Sequence, residues 1–212
     1  MDFGINLNSG TTEPKFELPT DFRFDHIRIT TDRTDKIFEV QNVTSEFVIF
    51  EHIDKPFLTA KLVIVDIDPQ VNLVDQIHFL GTEKVEVKIR TQSSEDFTIT
   101  KNFVVTEVVI SEKSGDGNEV IILDLIEDVA YHSALMRLSK SYTDNKLMII
   151  GKLCQVVERE VFITPGVEEK INGDKQTKVI IPNMHPLEAA NWIKDRTYTS
   201  DGFPFFFYSC IS

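Results

Sequence analysis

Between residues 22 and 125 the apolar positions recur mostly at every second residue, the period of a strand with one dry and one wet face. Val85, Val87 and Ile89 alternate with Glu86, Lys88 and Arg90. Phe24, His26, Ile27 and Ile29 lie in an extended segment, and Phe47-Val48-Ile49-Phe50 is a short apolar run. Residues 58–65 are rich in β-branched side chains and follow the turn signal Asp54-Lys55-Pro56. Phe97 to Thr100, Phe103 to Val105 and Val108 to Ile110 lead into Ser114-Gly115-Asp116-Gly117-Asn118, after which Val120 to Leu123 return. Two glycines at the tip supply positive φ, so this pair predicts a hairpin. Val71, Val74 and Ile77 share one helical face and predict a short helix.

Near Leu125 the period lengthens. Asp128, Ala130, Tyr131, Ala134, Leu135 and Leu138 predict one helix. Thr143-Asp144-Asn145 caps a second, in which Leu147, Ile150, Leu153, Cys154 and Val157 recur at three and four. Val161-Phe162-Ile163 reads as extended, and residues 166–177 as a charged loop with a tip at Asn172-Gly173-Asp174. Val179-Ile180-Ile181 is a strand that Pro182 ends; Pro186 opens a helix carrying Leu187, Ala190, Trp192 and Ile193. Residues 203–211 close the chain as an aromatic strand. The fold class expected is α+β, mainly β. A polar arm covers 1–20. An antiparallel β domain, barrel or sandwich, covers 21–128, and a smaller α+β domain covers 129–212. No internal repeat is present.

Charge and composition narrow the function. The chain has 212 residues and a net charge of −12, from 34 acidic and 22 basic residues without a basic cluster. That excludes a nucleic-acid binder that works through clustered phosphate contacts, yet suits a wall that DNA passes without sticking. Phe outnumbers Tyr and Trp, 16 against 4 and 1, and Phe prefers dry packing in a core or an obligate interface. Cys154 and Cys210 read as small buried hydrophobes rather than a disulfide framework. No signal peptide or membrane anchor is expected from the N-terminal residues.

Candidate chemistry is sparse. His26, His52, His78, His132 and His185 lack metal-site spacing. His52 with Asp54, and Asp66 with Asp68, are the only pairs that could hold a metal or perform acid–base work; ordinary turns account for both. Ser114-Gly115-Asp116-Gly117 and Gly81-Thr82-Glu83-Lys84 lack the Lys-Ser/Thr of a phosphate cradle. No catalytic, metal or cofactor residue is assigned. The interface candidates are Phe203, Phe205, Phe207 and Tyr208 in the closing strand, and Val85, Val87 and Ile89 in the alternating one. The hairpin between Val104 and Leu123 is a further source of a lumen face or subunit edge. A strand this apolar is buried on both faces by its own chain, or on the second face by another subunit or by further chain.

Four phrases in order carry a resemblance: Phe50-Glu51-His52-Ile53-Asp54-Lys55-Pro56-Phe57-Leu58-Thr59, Phe79-Leu80-Gly81-Thr82-Glu83-Lys84-Val85, Ile181-Pro182-Asn183-Met184-His185-Pro186 and Gly202-Phe203-Pro204-Phe205-Phe206-Phe207-Tyr208-Ser209. Over roughly residues 20–212 the chain resembles the central baseplate hub protein of T-even-like contractile-tailed bacteriophages. The resemblance implies a structural virion protein made in the host cytoplasm. It implies a homotrimeric ring at the tail axis that joins the tail spike protein to the tail tube or tube-initiator protein and touches other baseplate proteins. It also implies a tube-type β-barrel, DNA passing through the lumen, no cofactor and no enzymatic activity. Hub subunits carry two such barrels, whereas this chain shows one, over 21–128. Two other readings compete: a ring or binding module of a related tail or contractile secretion machine, and a hydrolase using His52/Asp54 or Asp66/Asp68.

Overall fold

The computed structural model describes residues 22–31, 33, 36–66, 73–91, 98–112, 119–163 and 176–211. The expected arm over 1–20, the glycine tip at 114–118 and most of the charged loop over 166–177 lie outside them, as do Val71 and Asp68.

The first part is one antiparallel sheet of seven strands: β1 (Phe22–Thr30), β2 (Ile37–Glu39), β3 (Thr44–Phe50), β4 (Thr59–Asp66), β5 (Lys84–Thr91), β6 (Thr98–Glu112) and β7 (Glu119–Glu127). Their order is β2-β1-β5-β6-β7-β4-β3. The short helix α1 (Leu73–Ile77) lies between β4 and β5. From Thr98 onward the three apolar runs expected up to Ile110 are a single 15-residue strand, β6, Phe97 lying outside the described residues. The expected hairpin is present as the β6–β7 ladder, which runs out to Glu112 opposite Glu119.

The sheet curls. Phe24 of β1 and Phe47 of β3 meet edge to face with centroids 5.7 Å apart. Their strands stand five places apart in the order, about 24 Å on a flat sheet. Right-handed twist and a bulge between Phe24 and His26 help the bend. Ile27, Ile29, Leu62, Ile64, Val85, Val87, Phe103, Ile121 and Leu123 fill the concave face. The expected closed barrel is not formed: among the described residues no ladder joins β2 to β3. A 3-10 turn over Gln41–Val43 crosses that seam instead, with Val40 N donating to Ile27 O (2.9 Å) and Gln41 Nε2 to Phe24 O (2.8 Å).

The second part holds α2 (Asp128–Leu135), β8 (Leu138–Asp144), α3 (Lys146–Gln155), β9 (Thr177–Met184) and α4 (Pro186–Lys194). Ile149, Leu153, Cys154, Ile181, Ala189, Ala190 and Ile193 make its own core. Asn145 caps α3 through its side-chain oxygen, which accepts from Met148 N at 2.8 Å. Three expectations are corrected here. The α2 helix stops at Leu135, and Leu138 opens β8, a strand not foreseen because Leu-Ser-Lys-Ser-Tyr-Thr-Asp has a single buried position, Tyr142. β9 runs through Pro182 instead of ending there. Only Ser139 lies between Leu138 and Lys140, whereas Pro182 and Asn183 lie between their partners Met184 and Ile181, so the proline sits in a bulge that needs no amide from it. Asn183 has φ 54°, the local cost of that bulge. Residues 161–163 form no strand, and Phe162 is 90% exposed.

Candidate assembly interface

The face of the sheet away from the core differs between its two halves. Outside β1 and β5 the side chains pair with one another: His26 with Glu86 (2.7 Å), Arg28 with Glu39 (3.0 Å) and Arg90 with Asp25 (2.8 Å). Outside β4, β6 and β7 the register sets Val63, Ile122 and Val109 in one row and Val65 beside Val120 in the next. Cross-strand partners share a face, so this is a continuous aliphatic patch. None of the five packs against either core.

The edges around that patch are open. The last residue of β6 paired to β5 is Val104, opposite Lys84, and β6 continues eight residues further to Glu112. Val105 N still donates to Glu83 O (2.9 Å); beyond it, among the described residues, β6 has β7 on one side only, and Val109 and Ile110 are 44% and 46% exposed. Across the same level the rows run Val108, Leu123, Leu62, Phe47, so β3 is the opposite edge of a four-stranded section. Among the described residues no ladder covers either edge, and an uncovered strand edge is the usual template for strand addition.

Among the described residues the closing aromatic strand joins no sheet, and its one bridge there links Tyr198 to Pro204. Residues 205–211 alternate inward and outward as a strand would, with Phe205, Phe207, Ser209 and Ile211 turned in. Phe207 packs on the second core and Ile211 on the first. Among the described residues the backbone of 205–209 makes no hydrogen bond to other backbone. Phe203, Phe206 and Tyr208 are 66%, 65% and 55% exposed.

A buried carboxylate pins this strap. Glu127, at the end of β7 and 2% exposed, accepts from Arg159 Nη1 (2.6 Å), from Leu58 N (2.9 Å) and from Ser209 Oγ (3.2 Å). Arg159 Nη2 also donates to Ser209 Oγ at 2.5 Å. A charge taken out of water must be paired and hydrogen-bonded, and here three segments supply the partners. Two further pins are Lys101 Nζ to Cys210 O (3.0 Å) and Ile211 N to Glu51 Oε1 (2.8 Å).

The expected interface residues therefore separate. Phe203 and Tyr208 are exposed, Phe205 and Phe207 half-buried. Val85, Val87 and Ile89 are 0%, 0% and 9% exposed in the first core, on a strand flanked on both sides, so their side chains have no surface to offer. The alternation of β5 was legible; that its polar face closes on itself through cross-strand ion pairs was not.

Of the candidate chemical groups, the described ones make contacts within the chain, and Asp68 lies outside the described residues. His52 Nε2 bonds Thr59 Oγ1 at 2.8 Å. The loop before β5 is an amide nest, with Gly81 at φ 84°, but its anion is internal: Glu83 accepts from the amides of Leu80, Gly81 and Thr82 at 2.6, 3.0 and 3.2 Å. Burial pushes the Cys154 thiol up to about 12, which keeps it protonated. Among the described residues no group of three His, Cys, Asp or Glu is placed to hold a metal. No described helix is long and apolar enough to cross a membrane.

No family model matches the chain, and no curated protein does. Several solved structures do. A tail protein from Neisseria meningitidis MC58 is 12% identical, with a TM-score of 0.43, covering 85% of this chain and 49% of its own. Prophage tail protein gp18 from Listeria monocytogenes EGD-e is 10% identical, with a TM-score of 0.46, over 81% and 46%. The E. coli c3393 protein, a type VI secretion component described as similar to T4 tail proteins gp27 and gp5, is 10% identical, with a TM-score of 0.39, over 71% and 42%. The chain thus spans about half the length of these structures or less.

Proposed function

We propose that this chain is a structural part of a contractile phage-tail baseplate, the central hub that joins the spike to the tail tube, and that it works as a segment of a homotrimeric ring. The observation that carries the reading is the open β6 overhang bordered by the aliphatic outer patch. In the section β6-β7-β4-β3, all neighbours are antiparallel, so β6 and β3 run in opposite directions. Rotation about an axis along the strands keeps those directions. The β6 edge of one copy therefore meets the β3 edge of the next in antiparallel register, a head-to-tail contact that closes into a ring. The order of the four hub-like phrases supports the same reading. Residues 21–128 act as the ring-forming unit. Residues 129–212, with Phe203, Phe205, Phe207 and Tyr208 on the strap, offer a second surface to spike, tube or other baseplate proteins. The acidic chain lets DNA pass without specific binding, and performs no catalysis itself.

The test is light scattering coupled to size exclusion, followed by electron microscopy of any oligomer. The purified chain should associate as its concentration rises, and Val109→Asp should return it to a monomer that still unfolds cooperatively, at the melting temperature of the dilute parent chain. A chain that stays monomeric both alone and with spike and tube proteins overturns the reading.

A further inference from the structure

Two strongly exposed aliphatic side chains stand at turns beside the open edges. Leu80, 68% exposed, precedes β5, and Ile53, 62% exposed, follows β3. Neither turn is loose. The buried Glu83 carboxylate holds the Leu80, Gly81 and Thr82 amides, and Lys55 N donates to His52 O at 3.3 Å. An aliphatic side chain held out on a fixed turn forfeits burial that a partner surface would supply.

The register between copies follows from two constraints. Val108 and Ile110 of β6 lie opposite Leu123 and Ile121, and Phe47 and Ile49 of β3 lie opposite Leu62 and Ala60, so these four face the concave side. A slip of one residue would turn one set outward, so Phe47 and Ile49 must meet Val108 and Ile110. Glu83 O already holds Val105 N, and β6 is bulged between Val105 and Glu107, so an added ladder starts at Glu107. The longest ladder that meets both conditions sets Phe50 opposite Glu107, Ile49 opposite Val108, Val48 opposite Val109 and Phe47 opposite Ile110. It carries the outer aliphatic patch on to Val48 of the incoming copy. Within one chain Phe47 is level with Val108, so each copy is staggered by two residues, about 7 Å, as closed sheets of tilted strands require.

In that register His52 of the incoming copy falls level with Val105, and therefore with Glu83 of the receiving copy. The incoming β3 and the receiving β5 then lie end to end along the same side of β6. We propose that the His52–Lys55 turn of one copy seats on the loop before β5 of the next, Ile53 packing on Leu80, and that this contact fixes the stagger of the ring. The inference rests on the ring reading and names where its copies touch beyond the strand edges.

The test is disulfide trapping in a Cys210→Ser background, a change that spares the bond from Lys101 because the backbone accepts it. Ile53→Cys copies and isotope-labelled Leu80→Cys copies are mixed where the chain associates and oxidised with copper phenanthroline. Peptide mass spectrometry should find residue 53 joined to residue 80 between a labelled and an unlabelled copy. Either variant alone should give no such dimer, because a head-to-tail contact never brings a residue onto itself. Leu80→Asp should weaken association about tenfold, with the melting temperature of the dilute chain unchanged. Association seen by light scattering without the 53–80 link, equal linking in either variant alone, or indifference to Leu80→Asp overturns the contact and leaves the ring standing. A chain that never associates overturns the ring, and the contact with it.

Discussion

Phe24 and Phe47 touch edge to face across the seam of the curled sheet, and Phe47 in turn meets Phe103 of the central strand β6 with centroids 6.2 Å apart. Three strands far apart in hydrogen-bonding order are thereby held by one ring. Because no ladder closes the seam among the described residues, side-chain packing and the turn at Gln41–Val43 must hold the curl. Phe47→Ala should cost about 3 kcal/mol, the low end for a buried phenylalanine because this ring is only partly covered. Phe47→Leu should cost about half as much. Thermal melting checks both. A loss below about 0.5 kcal/mol for the alanine variant would mean that the curl is held elsewhere.

Glu127 predicts a larger effect from its partner than from itself being crowded. Arg159→Ala leaves a carboxylate that is 2% exposed without its cation, at a cost of about 3 kcal/mol. Arg159 is itself 31% exposed, so water can enter and hold the loss near that lower figure. Ser209→Ala removes two hydrogen bonds from the same site, the one donated to Glu127 and the one accepted from Arg159, and should cost about 1–2 kcal/mol. The two should not add, because they share one network. Urea unfolding of both single variants and the double variant measures the coupling, and simple additivity would show that the strap is not pinned there.

Six of the seven strands of the large sheet were legible, as where Val85, Val87 and Ile89 announce β5 and the β-branched run announces β4; β2, three residues with no buried side chain, was not. β8 was not, since a two-stranded ladder with one buried side chain leaves no period to read. The closing strand misled in a different way. Its aromatic residues do alternate in burial, but alternation reports which side faces a core and says nothing of a backbone partner. The Glu127 site was beyond reach for a third reason. Leu58, Glu127, Arg159 and Ser209 are far apart in sequence, and an acidic residue at the end of a strand ordinarily faces water. The one local hint was Glu127 continuing the inward phase of Ile121, Leu123 and Leu125.

The two cysteines should differ in reactivity. Cys154 lies on α3 with no exposed surface, and burial raises its thiol to about 12, with the Arg159 charge opposing weakly. At mildly alkaline pH almost no thiolate is present and no path reaches it. Cys210 lies half-buried on the strap. Iodoacetamide should therefore label Cys210 first in the native protein and Cys154 only on unfolding, as peptide mass spectrometry would reveal. Ser209→Ala should quicken labelling of Cys210 if loosening the pin frees the strap. Native labelling of Cys154 at a matching rate would contradict its place in the second core.

Asp144 gives a pH dependence whose sign is fixed by its surroundings. Its Oδ2 accepts from Lys152 Nζ at 2.7 Å and its Oδ1 from Asn145 N at 2.9 Å, and these hydrogen bonds, the lysine's first, hold its pKa below the ordinary 3.8. A carboxylate whose pKa is lower in the folded chain contributes stability above its unfolded pKa and loses it as pH falls through the folded value. The pair links the end of β8 to the last turn of α3, so its loss in acid should appear locally, where β8 and α3 meet. Carbonyl carbon shifts followed by NMR should place the Asp144 midpoint below 3.8 in the folded protein. Lys152→Met should raise that midpoint without carrying it past the ordinary value, because the Asn145 amide still favours the charged form. A midpoint unchanged by Lys152→Met would show that the lysine, despite its distance, does not hold the charge.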